Sequence, residues 1–73
     1  MKLKTWKDLV EYMCPGFPYD INDFKKQFPE STEKEIYQAI LSAGHNIKKI
    51  DYRYRLTPVG ALLSIKLTDS KWN

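Results

Sequence analysis

Proline and glycine cut this chain into short pieces. Four prolines and three glycines stand among 73 residues, and all but Gly60 fall between periodic stretches. The run Cys14-Pro15-Gly16-Phe17-Pro18 cannot continue a helix, because proline lacks a backbone N–H and its ring clashes with the preceding turn. Pro29, Gly44 and Pro58 mark three further boundaries. The chain is therefore confined to short elements around one small core. At roughly 100–200 residues per domain it is a single domain. Domains this short bury only about 60 % of the surface of their unfolded chain, which argues against a two-layer enzyme with a deep pocket.

Hydrophobic residues make up 42 % of the chain and charged residues 29 %, so the composition is globular rather than disordered. The core must lean on 2 Trp, 5 Tyr and 3 Phe. A lone cysteine excludes an intramolecular disulfide framework and points to a reducing compartment. No apolar run approaches the ~18 residues of a membrane span. The basic start Met1-Lys2-Leu3-Lys4 has no apolar stretch after it, so no signal peptide is expected. These features predict a cytoplasmic protein.

Four segments are helically periodic. Trp6, Leu9, Val10 and Met13 lie on one helical face behind Thr5, a good N-cap, with Asp8 favouring the helix start. Ile21, Phe24 and Phe28 form a short stripe behind Asp20, with Lys25, Lys26 and Gln27 facing out. Ile36, Ala39, Ile40 and Ala43 form the third face. Its N-cap is Ser31, or Thr32 if Glu35 completes a capping box. Gly44 stands where a left-handed residue ends a helix. The two alanines let another helix approach closely. The last element opens at Thr57-Pro58, an N-cap followed by proline at the first helical position. Val59, Leu62, Leu63 and Lys66 are helically spaced in it, with Ile65 beside them. Gly60 weakens this helix by roughly 1 kcal/mol relative to alanine. The domain is placed at residues 1–67 and a tail at 68–73.

Between the third and last helices, Tyr52, Tyr54 and Leu56 alternate with Arg53 and Arg55, a strand pattern. A hairpin turning at Asp51-Tyr52 pairs Ile50 with Arg53, Lys49 with Tyr54, Lys48 with Arg55 and Ile47 with Leu56. Paired residues share a face, so Ile47 and Leu56 both reach the core while Lys48 and Arg55 lie side by side toward solvent. The charge is uneven along the chain. Residues 1–37 carry six Lys against seven acids, and residues 38–73 carry six Lys and Arg against two. Four of those last six cations fall between 48 and 55, a block suited to a polyanion or simply to a solvated surface.

No catalytic or metal-binding set emerges. His45 and Cys14 are each the only residue of their kind and form neither a zinc ligand set nor a supported dyad. His45 reads as a cap at a helix C-terminus, and Cys14 as a semi-buried, inert thiol. Tyr54 is expected under the hairpin and Tyr52 at its tip. Stacking of both on exposed bases is the alternative. No cofactor, metal or small-molecule substrate is expected, and no enzyme.

Residues 21–43 make two short helices joined by Pro29-Glu30-Ser31, the spacing of a helix-turn-helix. Gly44 ends the third helix, a short basic hairpin follows, and Tyr54-Arg55-Leu56-Thr57-Pro58-Val59-Gly60 leads into the final helix. Over about residues 5–66 the chain resembles a winged helix-turn-helix domain of the small bacterial, phage or archaeal-virus regulator type. The resemblance implies an α+β, mostly α fold with a three-helix core, a two-stranded β-hairpin wing and a C-terminal helix. It implies sequence-specific binding of double-stranded DNA by a small transcriptional regulator, in the cytoplasm or that of a host cell. The third helix would enter the major groove. Its outward positions are Thr32, Glu33, Lys34, Tyr37, Gln38 and Leu41. Gln38 suits adenine, and Lys34 suits guanine or phosphate. Ser31 and Thr32 offer backbone N–H groups to a phosphate. Lys48, Lys49, Arg53 and Arg55 become wing phosphate contacts, with Lys25, Lys26 and His45 as further backbone contacts. Glu33 and Glu35 in the first turn depart from a comfortable DNA reader, because they repel phosphate. The alternative is a protein-interaction module of the same fold, with Glu33, Tyr37 and Leu41 as its contact face and a host regulator or polymerase as partner. A homodimer is expected for a two-half-site target, with the first helix, the last helix and Trp72 as candidate surfaces.

Overall fold

Side-chain oxygens set where the first three helices begin. In the computed structural model, which describes residues 2–70, each of these helices opens with a reciprocal capping box. Helix α1 (Trp6–Tyr12) uses Thr5 and Asp8, α2 (Ile21–Gln27) uses Asp20 and Asp23, and α3 (Glu33–Ala43) uses Thr32 and Glu35. In α3 the Glu35 N–H donates to Thr32 Oγ1 at 3.1 Å and the Thr32 N–H donates to Glu35 Oε1 at 2.9 Å. The cap is thus Thr32 and not Ser31. Ser31 is buried, and its hydroxyl accepts the Leu3 N–H at 2.8 Å.

Gly44 ends α3 at φ 56°, a conformation that favours glycine. One 3₁₀ turn, Gly44–Asn46, leads into an antiparallel hairpin of β1 (Ile47–Ile50) and β2 (Arg53–Leu56). Its register is the expected one, from Ile47 opposite Leu56 to Ile50 opposite Arg53. Asp51 takes the positive φ of the two-residue turn. A feature the periodicity did not announce is a single bridge from the α1–α2 loop. The Tyr19 N–H donates to the Tyr54 carbonyl at 2.9 Å, and the Tyr54 N–H donates back at 2.7 Å.

The core gathers Leu9, Val10 and Met13 of α1, Phe24 and Phe28, Ile36 and Ala43 of α3, and Ile47, Tyr54 and Leu56 of the hairpin. Aromatic rings do much of the filling. Phe24 stacks on Tyr19 at 5.8 Å, and Tyr12 meets Tyr19, Phe24 and Phe28 at 5.3, 6.2 and 5.9 Å. Such pairs contribute roughly 0.5–1.5 kcal/mol each beyond their buried area. Burial holds the Tyr12 and Tyr19 hydroxyls above the usual tyrosine range.

Helix α4 (Pro58–Ser70) closes the fold. Thr57 caps it, accepting the Gly60 N–H at 3.1 Å. Its apolar residues divide between two faces. Gly60, Leu63, Ser64 and Leu67 turn inward, where the buried Ser64 hydroxyl donates to the Met13 carbonyl at 3.1 Å. Val59, Leu62 and Ile65 face out, Leu62 being 70 % exposed. The helix runs three residues into the segment read as a tail, with the Thr68 hydroxyl donating to the Ser64 carbonyl at 2.8 Å. Trp72 and the rest of that tail lie outside the described residues. Cys14 is exposed rather than semi-buried, because its Pro15-Gly16 loop stands away from the core. Among the described residues no helix is long and apolar enough to cross a membrane. The architecture is a small, mostly helical α+β fold of four helices and one two-stranded antiparallel hairpin.

Candidate functional site

Helix α3 lies in a trough. Ile36 and Ala43 turn into the core, which leaves Lys34, Tyr37, Gln38 and Leu41 as the open ridge, all exposed. On one flank, Tyr37, Ile40 and Leu41 meet Ile47, Lys49 and Tyr54 of the hairpin around a groove. On the other, Glu35, Gln38 and Ser42 meet Leu3, Lys4 and Trp6 of the N-terminal segment around a cavity of about 280 Å³. The ridge mixes one cation, one amide, one phenol and an 81 % exposed leucine. It can donate and accept hydrogen bonds and still make apolar contact.

The two acids of the first turn differ. Glu33 pairs with Lys25 of α2 at 3.7 Å, which offsets part of its charge. The Glu35 carboxyl is held below its usual range, chiefly by the hydrogen bond from the Thr32 backbone, with a lesser contribution from the Lys2 charge, and so keeps its negative charge at the helix start.

The hairpin separates its four cations by the pleat of its strands. Lys49 shares the core face with Ile47, Tyr54 and Leu56, and its ammonium lies 5.7 Å from the Tyr54 ring centre. Lys48, Arg53 and Arg55 occupy the opposite face, so the block from 48 to 55 is not one surface. Both backbone polar groups of Tyr54 are used by Tyr19 on the outer edge. Lys49 and Tyr54 are thus a non-hydrogen-bonded pair, where side chains approach closely. Lys48 and Arg55 fall in the wider hydrogen-bonded pair, which eases their mutual repulsion. Tyr52 stands exposed at the tip with the Arg53 guanidinium 5.3 Å from its ring centre, and Tyr54 is buried.

Asn46 fixes the hairpin against both helices. Its side-chain amide donates to the Ala43 carbonyl at 2.7 Å, and its own carbonyl accepts the Thr57 N–H at 3.0 Å. A Cβ on Gly60 would come within 1.9 Å of that same carbonyl oxygen. Gly60, a helix-weakening residue in sequence, is what allows α4 to close on this turn. His45 is exposed in the turn, and its carbonyl accepts the Thr57 hydroxyl at 2.5 Å.

Of the residues singled out in sequence, Thr32, Lys34, Tyr37, Gln38 and Leu41 share the exposed side of α3, with Lys49 beside them. Lys25 and Lys26 are exposed on α2, Lys25 engaged with Glu33. Ser31 is turned inward, its hydroxyl occupied by Leu3. Lys2 and Lys4 carry no local signal of a site in sequence, because a short basic start without an apolar stretch belongs to no motif. Leu3 between two lysines was the available signal of an anchored segment. Among the described residues no three of His, Cys, Asp and Glu gather where they could hold a metal ion. Comparison with protein-family models, with curated proteins and with solved structures finds no match for this chain.

Proposed function

We propose that the chain is a winged helix-turn-helix domain that binds double-stranded DNA in a sequence-specific manner, as a small transcriptional regulator. The element order supports this: three helices, a basic hairpin and a closing helix, with α2 and α3 joined by a tight proline turn. The observation that carries it is the open ridge of α3, Lys34, Tyr37, Gln38 and Leu41, bordered by the hairpin and with the first-turn acid Glu33 paired to Lys25.

In this reading α3 enters the major groove. Gln38 reads adenine through its amide, donating to N7 and accepting from N6, and Lys34 donates to guanine or a phosphate. The Ser31 and Thr32 N–H groups, suited to a phosphate in sequence, are instead bonded within the chain, to the Phe28 carbonyl at 3.0 Å and to Glu35 Oε1 at 2.9 Å, so no phosphate is assigned to them. The hairpin is the wing, and its two faces meet phosphates on either side of it, Lys49 from one face and Lys48, Arg53 and Arg55 from the other. One α3 per chain reads one half-site, so specific binding calls for two copies. The outer face of α4 is the surface we assign to that pairing.

The test is a titration with duplex DNA flanking the protein's own gene, beside a scrambled duplex, over a series of salt concentrations. With four wing contacts the log–log salt slope is about −3.6 per chain, a loss of affinity of about 150-fold between 50 and 200 mM salt. Replacing all four cations with alanine flattens the slope and weakens every sequence alike. No binding at low salt overturns the reading. In that case the exposed Tyr37 and Leu41 beside Glu33 favour a protein partner on the same helix face.

A further inference from the structure

We propose that the N-terminal segment around Lys2 and Lys4 is a second basic wall of the α3 trough, contacting the DNA phosphate backbone on the flank opposite the hairpin. This rests on the DNA-binding reading and extends it to residues that reading does not use.

Three observations place the segment. The Leu3 N–H donates to the buried Ser31 hydroxyl at 2.8 Å, immediately before the α3 cap. The Lys4 N–H donates to Asp8 Oδ2 at 2.7 Å, so the start of α1 holds the other end. Leu3 packs against the core while Lys2 and Lys4 on either side of it are exposed. With Leu3 both bonded and packed, and Lys4 bonded beside it, the segment is tied to the body at two consecutive residues. Lys4 is thus presented from a held backbone, with Lys2 next to the anchor, which lowers the ordering entropy lost on binding.

The same segment forms one side of the cavity whose other side includes Gln38 and Ser42 of α3. The hairpin groove lies along Tyr37 and Leu41, across the open ridge. A duplex engaging that ridge therefore meets positive charge on both sides, Lys49 on one and Lys4 on the other. Lys2 also favours the ionised Glu35 carboxyl at the start of α3, a lesser contribution than the hydrogen bond from the Thr32 backbone.

The experiment is the salt titration on the full chain and on Lys4→Ala, Lys2→Ala, Glu35→Gln and Lys2→Ala/Glu35→Gln, using the gene-flanking and scrambled duplexes, with the loss on Lys2→Ala measured once against the parent and once against Glu35→Gln. All substituted side chains are exposed or half-buried on the surface, and Gln at position 35 keeps the capping box. Circular dichroism checks the fold of each. Lys4→Ala should make the slope shallower by about 0.9 and weaken both duplexes by the same factor, since a phosphate contact carries no sequence information. The loss on Lys2→Ala should shrink when Glu35 is also Gln. A steep parental slope that Lys4→Ala leaves unchanged overturns the second wall alone. A parent that binds neither duplex at low salt overturns the DNA reading and the wall together. Loss of preference between duplexes at constant slope assigns Lys4 to a base edge and also overturns the proposal as stated.

Discussion

The outward faces of α3 and α4 differ in chemistry. The α3 face carries Lys34, Tyr37, Gln38 and Leu41 between two flanking walls, and its first-turn acid Glu33 is paired with Lys25. The α4 face carries Val59, Leu62 and Ile65, with Lys66 and Asp69 exposed toward its C-terminal end. Both are exposed, and exposure alone does not distinguish them. Chemistry does. The first can satisfy hydrogen bonds and charge on a polar, anionic surface. The second gains chiefly by removing apolar side chains from water, at roughly 25 cal/mol per Å². Hydrophobic spacing in sequence predicts that a helix is amphipathic but not which face turns in. In α4 the inward face is set by small groups, Gly60 and Ser64, which let the helix come close to Asn46 and Met13.

The largest effect is expected where the two helices are joined. Asn46 bonds to the end of α3 and to the start of α4, and Gly60 packs on its carbonyl. Gly60→Ala adds a methyl group with only backbone to displace. Its helix propensity favours alanine by about 1 kcal/mol, and the clash opposes it. We expect the clash to win and the net loss to be about 3 kcal/mol, at the upper end for overpacking. A domain of this size holds only about 4–11 kcal/mol in total. Urea unfolding measures the loss. A variant as stable as the parent would show that α4 can move off Asn46, and the placement of its outer face would have to be redrawn.

Two substitutions separate the faces directly. On the proposed reading, Gln38→Ala removes a bidentate base contact and should lower discrimination at one base pair by about 1–3 kcal/mol. Sedimentation of the free protein should not change. Leu62→Glu should do the reverse. It should reduce self-association and binding to a two-half-site duplex, and leave binding to a single half-site as it was. If Leu62→Glu weakens half-site binding as much as Gln38→Ala does, the division of labour between the helices is wrong.

What the sequence revealed divides along the same line. The starts of the helices to within a residue, the cap at Asp20 and the whole hairpin register were legible, because each follows from local rules such as capping chemistry and the two-residue period of a strand. The open positions of α3 were legible for the same reason. The end of α4 was not, since no glycine or proline marks it and the helix runs on to Ser70. Contacts between distant segments were not. Nothing local says that Tyr19 will bond to Tyr54, that Leu3 will fill the bonding capacity of Ser31, or that Lys2 will lie near Glu35. The pleat that sets Lys49 apart from Lys48, Arg53 and Arg55 was implicit in the register, and only the core position of Tyr54 makes its consequence evident.

The smallest expected effect concerns Glu35, where folding and the proposed binding pull in opposite directions. Its carboxyl titrates below the usual 4.5 because the Thr32 N–H bonds to the ionised form and the Lys2 charge assists. A depressed carboxyl contributes stability that is complete above its unfolded-state value and is lost as pH falls through the folded one. The parent should therefore lose part of its melting temperature as pH falls from 4.5 through that lower value. Glu35→Gln keeps a side-chain acceptor for the Thr32 N–H and has no proton to take up, so its melting temperature should vary less over the same window. At pH 7 the same substitution removes a negative charge from the start of α3, and DNA affinity should rise slightly for all duplexes. Thermal melts between pH 7 and 3, paired with one titration at pH 7, test both halves. A flat parental profile would mean that the capping carboxylate adds nothing to the fold, and unchanged affinity would mean that Lys2 already offsets its charge in full.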